Sequence, residues 1–255
     1  MKEQTIAQEF TSVDKSIPIP AKIQNDIENY SGIWHSIKED DAAKLFAKVT
    51  KLFNKAGLKF SLCFGSLLGC VREGGLIKGD EDVDIFVWDE QKLWNSLEFF
   101  HDNGLKTMRI DKGVIYSFYL DDCCYIDVYI LAELTGWPKL FWGSWCYGIC
   151  KAETPKEFFK GFKRVNFLGS ECDIPINAED FLELWYWKSW RTPIRGRRLM
   201  PYKVRSAYVV HKFLDEITLK NTYHRLKRLI KWAIGRENYD KLKHLIKREK
   251  ARKTQ

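Results

Sequence analysis

Apolar and polar positions along the first half of the chain follow two periods, one typical of helices and one typical of strands. Between residues 38 and 56, apolar side chains recur at helical spacing, which predicts an amphipathic helix. Short apolar runs at 59–64 and 83–88 predict two strands. Between them, a turn of small residues and an apolar segment predict a helix over about 66–72.

Helical and strand patterns continue along the rest of the chain. Asp89 is a typical N-cap for a helix over 90–103, and Asn177 for one over 177–188. Further strands are predicted at residues 105–110, 114–120, 124–131, 141–151 and 164–167. Two more helices are predicted at residues 203–217 and 221–251. This order predicts an α+β fold with a mixed sheet flanked by helices, followed by C-terminal basic helices.

Changes of composition predict three domains. Residues 1–36, of mixed character, are expected to form an arm packed over the body. Residues 37–219 hold the predicted sheet and its helices, and residues 220–255 form a separate basic tail.

Composition narrows the protein class. Of the 255 residues, 45% are hydrophobic and 15% aromatic, which is ample for a core. The sequence shows neither a run of about 18 apolar residues nor an apolar N-terminal stretch, so we expect no membrane span and no secretory signal. The seven cysteines contain no C-x-x-C pair, which favours reduced core thiols over zinc. We therefore expect a cytoplasmic protein.

The net charge of +8 is concentrated at the C-terminus. Residues 220–255 hold 13 Lys and Arg against three acids, a net charge of +10, and the rest of the chain therefore carries −2. Apolar residues at helical spacing in 222–234 and 238–248 predict two basic amphipathic helices. Such helices either dock on the body or rest on an anionic membrane at its inner face.

An acidic patch precedes the second predicted strand. In Asp82-Val83-Asp84, strand alternation places both carboxylates on one side. Two adjacent carboxylates repel each other unless a cation lies between them. An acidic run by itself is more often a solvated turn, so this pair needs a second observation.

Asp127 supplies that observation, because it lies inside the apolar run 125–130. A buried Asp is rare unless it is paired or bound to a metal. Carboxylate oxygens are hard ligands of the kind that divalent cations prefer. We therefore predict that Asp82, Asp84 and Asp127 bind one or two Mg²⁺ ions, with Mn²⁺ as the alternative. Asp127 could instead act mainly as the base for an acceptor hydroxyl.

Residues around these carboxylates are candidates for substrate binding. Gly65 and Ser66, at the turn into the predicted helix, can offer backbone N–H groups and a hydroxyl to a phosphate. Arg72 is either a bidentate phosphate clamp or an ion-pair partner of the acidic loop. Asp80 is either a further ligand or a residue that orients the ligands.

The combination resembles the polymerase-beta-like nucleotidyltransferase fold and, more narrowly, the LicD family, which includes fukutin and fukutin-related protein. The resemblance covers residues 43–193 and rests on four segments: GSLLG-x-VR at 65–72, D-x-D-x-D at 80–84, the strand at 125–130, and a late segment at 174–193. The sequence departs from the family pattern at Lys78 and Gly79, where the family has Pro and usually Trp, and at Glu81 and Trp187.

The resemblance implies an activity for residues 37–219. Members of the family move a phospho-alcohol, such as phosphocholine or ribitol phosphate, from a CDP-alcohol to a sugar hydroxyl and release CMP. The implied acceptor is a glycan or a lipid-linked glycan, as in lipopolysaccharide or teichoic acid biosynthesis. The expected protein is therefore a LicD-like, magnesium-dependent transferase.

Two other functions stay open at this point. The same three carboxylates would serve a true nucleotidyltransferase, which adds NMP and releases pyrophosphate. A nucleic-acid-binding module is suggested only by the basic tail, and it is disfavoured because the charge lies away from the carboxylates. The Trp-rich region 137–190 could stack on a base or hold a quaternary ammonium, although such residues more often fill a core.

Overall fold

Most of the body is described by the computed structural model of the protein. It covers residues 10–32, 37–120, 124–134, 146–149, 152–186 and 189–193. The helices there are α1 (Ala21–Glu28), α2 (Glu39–Lys55), α3 (Phe64–Arg72), α4 (Glu90–Asn95), α5 (Leu97–Asp102) and α6 (Ala178–Tyr186). A short 3₁₀-helix spans Lys156–Phe159.

Nine strands within these residues form one sheet. They are β1 (Phe60–Leu62), β2 (Asp82–Val87), β3 (Lys106–Asp111), β4 (Ile115–Leu120), β5 (Cys124–Glu133), β6 (Cys146–Ile149), β7 (Ala152–Pro155), β8 (Phe162–Phe167) and β9 (Ser170–Pro175). The main order is β3-β4-β5-β2-β1-β9-β8, and β6 and β7 continue from β5. Because β2/β5 and β1/β9 are parallel while the other pairs are antiparallel, the sheet is mixed, which confirms the predicted class.

The core lies where α2 covers the sheet. The predicted helix over 38–56 is confirmed as α2, and its apolar stripe is buried against β2, β5 and β9. Phe53 of α2 stacks on Phe100 of α5 with ring centroids 5.2 Å apart. Strand β2 is buried along its whole length, and alternation places Val83, Ile85 and Val87 on the face opposite Asp82 and Asp84. One face of the sheet therefore carries the two acids at this strand, and the other face carries the three aliphatic residues.

Several predicted elements have different bounds in the structure. The helix expected over 66–72 begins two residues earlier, at Phe64, because the first strand already ends at Leu62. The helix expected over 90–103 is two helices that meet at Ser96, whose hydroxyl donates to the carbonyl of Lys92. That bond competes with the helix ladder. Asp89 caps α4 as predicted, because its carboxylate accepts from the N–H of Lys92.

The described part of the expected N-terminal arm contains α1, which the sequence pattern did not predict. Its preceding segment is held by a fully buried carboxylate, that of Glu90. The Glu90 carboxylate accepts hydrogen bonds from Val13 N at 3.1 Å, Gly113 N at 2.6 Å and the Tyr116 hydroxyl at 2.8 Å. Burial of Glu90 is therefore compensated by three donors, and the N-terminal segment is tied to the sheet.

Several predictions concern residues outside the described ranges. They include the helices at 203–217 and 221–251 and part of the strand at 141–151. The division of the chain at residues 36 and 219 also stays a prediction. In the described part of the chain, no helix has the length and apolar character that crossing a bilayer requires.

Candidate active site

Three aspartates meet on the acidic face of the sheet. Strands β2 and β5 are parallel neighbours, and their register places Asp84 beside Asp127 and Asp82 beside Tyr125. One oxygen from each of Asp82, Asp84 and Asp127 lies within 4.8 Å of the others, and all three residues are buried. The structure therefore brings the three predicted carboxylates together.

Burial and mutual repulsion act together on the carboxylates of this cluster. Burial, followed by the charges of Asp82, Asp127 and Asp80, raises the pKa of Asp84 well above its usual value. A single hydrogen bond from the backbone of Gly65 acts in the opposite direction. Like charges held this close in a buried site are stabilised when a cation joins them.

The start of α3 holds Asp84 in place. The Gly65 N–H donates to Asp84 Oδ2 at 2.8 Å, and the Asp84 N–H donates to Ser66 Oγ at 2.8 Å. A Cβ on Gly65 would lie 2.9 Å from Asp80 Oδ2 and 3.0 Å from Asp84 Oδ2, which explains the glycine at this position. The Gly-Ser pair thus couples the helix to the acidic strand.

Ser66 is buried, and its hydroxyl serves Asp84 in this structure. A contact between Ser66 and a phosphate stays a prediction. The second glycine of the motif, Gly69, also has a structural reason, because its Cβ would lie 2.4 Å from the carbonyl oxygen of Gly75. Gly69 therefore lets the loop after α3 pass close to the helix.

Arg72 has partners other than the acidic loop. Its Nε lies 2.6 Å from Glu73 Oε1, and its Nη1 donates to the Trp190 carbonyl oxygen at 3.0 Å. These contacts tie the late segment at 189–193 to α3. Among the described residues, the ion pair of Arg72 is therefore with Glu73, and its role as a phosphate clamp stays a prediction.

Asp80 lies next to the three aspartates. Its Oδ2 occupies the space beside Gly65, and its Oδ1 accepts from the Glu81 N–H at 3.2 Å. Its charge contributes to the raised pKa of Asp84. Asp80 is thus close enough to act on the site electrostatically, and it lies outside the group of three whose oxygens converge.

Sequence reasoning missed three neighbours of the carboxylates. Arg109 Nη2 lies 3.2 Å from both oxygens of Asp127, and Ser117 Oγ donates to Asp127 Oδ1 at 2.5 Å. The Tyr125 hydroxyl lies 3.3 Å from Asp82 Oδ2. Ser117 is a polar residue in a largely apolar strand, which is a weak signal, and only the strand register places it and Arg109 beside Asp127.

Aromatic side chains border the acidic site. The ring of Phe64 lies edge-on to Tyr129 and Trp185, with centroids 4.7 and 4.5 Å apart. Phe64 has a φ of 40°, which is unfavourable for a non-glycine residue and marks a strained start of α3. Burial and then the charge of Asp84 raise the pKa of Tyr129 and of Tyr186, so both hydroxyls stay neutral. The site is thus walled by uncharged rings that strengthen electrostatic interactions inside it.

The donor set fits a hard divalent cation. Carboxylate oxygens are the ligands of Mg²⁺, and two oxygens on opposite sides of that ion lie roughly 4.2 Å apart, because each Mg–O distance is about 2.1 Å. The three aspartates offer one oxygen each, and these oxygens all lie within 4.8 Å of one another. The cluster could therefore bind a metal ion.

Comparison with known proteins places the same region in one family. Residues 57–177 match the family model described as "LicD/FKTN/FKRP, nucleotidyltransferase domain". The matched segment contains all three aspartates, the Gly-Ser pair and Arg109.

Curated relatives include the ribitol-5-phosphate transferase FKTN of Homo sapiens, which is 26% identical over 163 residues. The proteins of the same name from Macaca fascicularis and Mus musculus are 25% and 24% identical. Each match covers 60% of this chain and 34% of the relative. The chain therefore spans about a third of the length of these relatives.

Two solved structures are similar at low TM-scores. The lincosamide antibiotic adenylyltransferase LnuA, bound to lincomycin, has a TM-score of 0.38 and 13% identity, covering 55% of this chain and 81% of its own. The antibiotic-resistance factor ANT(2'')-Ia has a TM-score of 0.40 and 11% identity, covering 73% and 95%.

Proposed function

The chain belongs to the LicD family through residues 57–177, and we propose that it is a metal-dependent transferase of a phospho-alcohol. The donor is a CDP-activated alcohol, the acceptor is a hydroxyl of a glycan or glycolipid, and CMP is released. We place the catalytic domain at residues 37–219. The observation that carries the proposal is the convergence of three buried aspartates, which is costly for the fold without a cation.

In this proposal Asp82, Asp84 and Asp127 hold Mg²⁺, with Mn²⁺ as the alternative. A divalent cation held there supplies positive charge to the phosphate oxygens and lowers the pKa of a bound hydroxyl. The Gly65 N–H and Ser66 keep Asp84 oriented for this task. The walls formed by Phe64 and Tyr129 limit water near the reacting phosphate.

Asp127 also acts as the base for the acceptor. Its carboxylate is held in place by Ser117 and Arg109, and a positioned carboxylate can accept a proton. The acceptor oxygen attacks the phosphorus atom that carries the alcohol, and the bond from that phosphorus to the bridging oxygen of CMP breaks. The acceptor proton passes to Asp127, and CMP leaves with the bridging oxygen.

The proposed identity of the transferred group is based on the names of the curated relatives. The three curated relatives are named as ribitol-5-phosphate transferases, which supports ribitol phosphate as the first alcohol to test and phosphocholine as the second.

For the tail, we propose that its net charge of +10 lets residues 220–255 rest on an anionic membrane surface near a lipid-linked acceptor.

A product assay tests the proposed reaction. Purified protein is incubated with CDP-ribitol, CDP-choline or CTP in Mg²⁺ or Mn²⁺, and CMP and pyrophosphate are measured. Release of CMP from a CDP-alcohol, absent with EDTA, supports the proposal. Release of pyrophosphate from a nucleoside triphosphate with no CMP from either CDP-alcohol would instead identify a true nucleotidyltransferase.

A sedimentation assay tests the tail. Binding to vesicles that contain phosphatidylserine should weaken at high salt and disappear when residues 221–255 are deleted. Equal sedimentation of the full-length and truncated proteins would show that the tail does not bind membranes.

A further inference from the structure

Arg109 lies at one end of a polar row that crosses the sheet. The strand register aligns Arg109 of β3 with Ser117 of β4, Ser117 with Asp127 of β5, and Asp127 with Asp84 of β2. Residues aligned in this way point to the same face of a sheet. The row therefore leads from the edge strand β3 directly to the acidic site.

The guanidinium of Arg109 is fixed on one side only. Its Nε and Nη2 donate to Ser117 Oγ at 3.2 and 3.1 Å, and Nη2 also donates to both oxygens of Asp127. No residue in the described ranges accepts a hydrogen bond from Nη1, which carries two N–H groups. The side chain is 48% exposed, so this free edge is open to solvent.

The positive charge of Arg109 lies where the carboxylates of the site would repel an anionic ligand. Three buried carboxylates also repel an anionic donor. Within the described part of the chain, Arg109 forms an ion pair with one of these carboxylates, that of Asp127, whereas Arg72 forms its ion pair with Glu73. A phosphate that approaches Asp127 therefore meets an arginine that is already in position.

We propose that Arg109 is a donor-binding residue, which holds Ser117 through Nε and Nη2, holds Asp127 through Nη2, and donates from Nη1 to the diphosphate of the donor nucleotide. This proposal rests on the proposed function and names the residue that recognises the diphosphate. Arginine suits the task because its rigid fork can serve two oxyanions at once. A guanidinium anchored beforehand also loses little side-chain entropy when the phosphate binds.

Binding measurements separate this role from a purely structural one. The probes are CDP, inorganic pyrophosphate and cytidine, each titrated calorimetrically with Mg²⁺ present into wild type, Arg109→Gln and Arg109→Lys. The matched control is Lys106→Gln, which removes one exposed positive charge from the same strand, where Lys106 lies over the ring of Tyr119.

Arg109→Gln should weaken CDP and pyrophosphate binding by about 10- to 100-fold, the effect of losing a hydrogen bond between charged groups. Cytidine binding should not change, because cytidine has no phosphate. Arg109→Lys should weaken CDP binding less, since it keeps the charge and loses the fork. Lys106→Gln should change CDP affinity by less than about threefold, the effect of a screened surface charge.

Three results would overturn the proposal. In the first, CDP affinity is unchanged in Arg109→Gln while Mg²⁺ binds more tightly, which would mean that Arg109 only neutralises Asp127. In the second, CDP and cytidine lose affinity equally. In the third, Arg109→Lys binds CDP as tightly as wild type does. This variant also tests the proposal if a thermal melt shows that Arg109→Gln does not fold.

The binding measurements on Arg109 can fail or succeed independently of the proposed function. If wild type binds ADP or UDP as tightly as CDP, the cytidine part of the proposed donor fails, while Arg109 is still judged on the ratio of diphosphate to nucleoside affinity. If wild type binds no diphosphate, the proposal for Arg109 is overturned, and the product assay still decides the reaction.

Discussion

Two buried acidic sites in this protein differ in what surrounds them. The carboxylate of Glu90 is fully buried and receives three hydrogen bonds, two from backbone N–H groups and one from Tyr116. The carboxylates of Asp82, Asp84 and Asp127 are almost as buried, yet they face one another. The first site satisfies its charge with donors from the fold itself, whereas the second concentrates like charges.

The difference distinguishes an acid that stabilises the fold from the acids of the proposed active site. Three donors compensate the desolvation of Glu90, so the residue can fasten the N-terminal segment to β4. At Asp84, the hydrogen bond from Gly65 only partly opposes the rise in pKa that burial and three neighbouring carboxylates cause. A fold that keeps such a cluster gives up stability in exchange for a site that attracts cations.

The largest expected effect is the loss of turnover in Asp84→Asn. This change removes one charge from the cluster and keeps its shape, so kcat should fall by about a thousandfold or more, as expected when several kcal/mol of transition-state stabilisation are removed. Product release from a CDP-alcohol in Mg²⁺ measures the effect. Asp89→Asn, at the other end of β2, is the matched control and should retain activity. Normal turnover in Asp84→Asn would show that the cluster is not the active site.

The next effect concerns stability and the other acidic site. Glu90→Ala leaves three buried donors without their acceptor, and the free energy of unfolding should fall by about 3 kcal/mol. Urea denaturation measures the loss, and Glu98→Ala on the exposed face of α5 is the control. The folded fraction of Glu90→Ala should keep its kcat, because Glu90 does not contact the acidic cluster. Unchanged stability would mean that its hydrogen bonds do not hold the N-terminal segment.

The third prediction concerns how the stability of Asp84→Asn, relative to wild type, depends on pH. In the metal-free protein the folded-state pKa of Asp84 is raised, so folding favours its protonated form and its ionisation opposes folding. Asp84→Asn should therefore be more stable than wild type in EDTA at neutral pH. The advantage should shrink as the pH falls through the raised pKa and vanish below 3.8, the ordinary pKa of Asp. If Asp84→Asn were less stable than wild type at pH 7 in EDTA, the ionised carboxylate of Asp84 would not oppose folding.

The smallest effect belongs to Asp89, which has the opposite pH dependence. Burial raises its pKa, but hydrogen bonds from the Lys92 N–H and the Thr11 hydroxyl outweigh this, so the pKa is lowered overall. Asp89→Ala removes the cap of α4 and should cost about 1 kcal/mol at neutral pH. The stabilisation by Asp89 is present above pH 3.8 and lost as the pH falls through its lowered pKa. Urea titrations at pH 7 and pH 3 measure the difference, and an equal cost at both would exclude the charged cap.

Much of the acidic site could be predicted because its signals are local. The alternation in Asp82-Val83-Asp84 and the apolar run around Asp127 both depend on neighbours in sequence, as does the cap at Asp89. The start of α3 was placed two residues late, because a three-residue strand leaves little pattern to locate its end. The break at Ser96 was missed for a similar reason, since one side-chain hydrogen bond decides it.

The sequence by itself determined the α+β class, the amphipathic α2, the shared face of Asp82 and Asp84, and the resemblance to the LicD family. Only the tertiary structure decided that β5 lies parallel to β2 with Asp127 beside Asp84, that Arg109 and Ser117 complete the row, and that Arg72 pairs with Glu73. Periodicity reports which face a residue occupies, because neighbouring positions along one element set it. Strand order and register depend on the packing of distant segments, and a shift of one residue would have turned Asp127 to the apolar face.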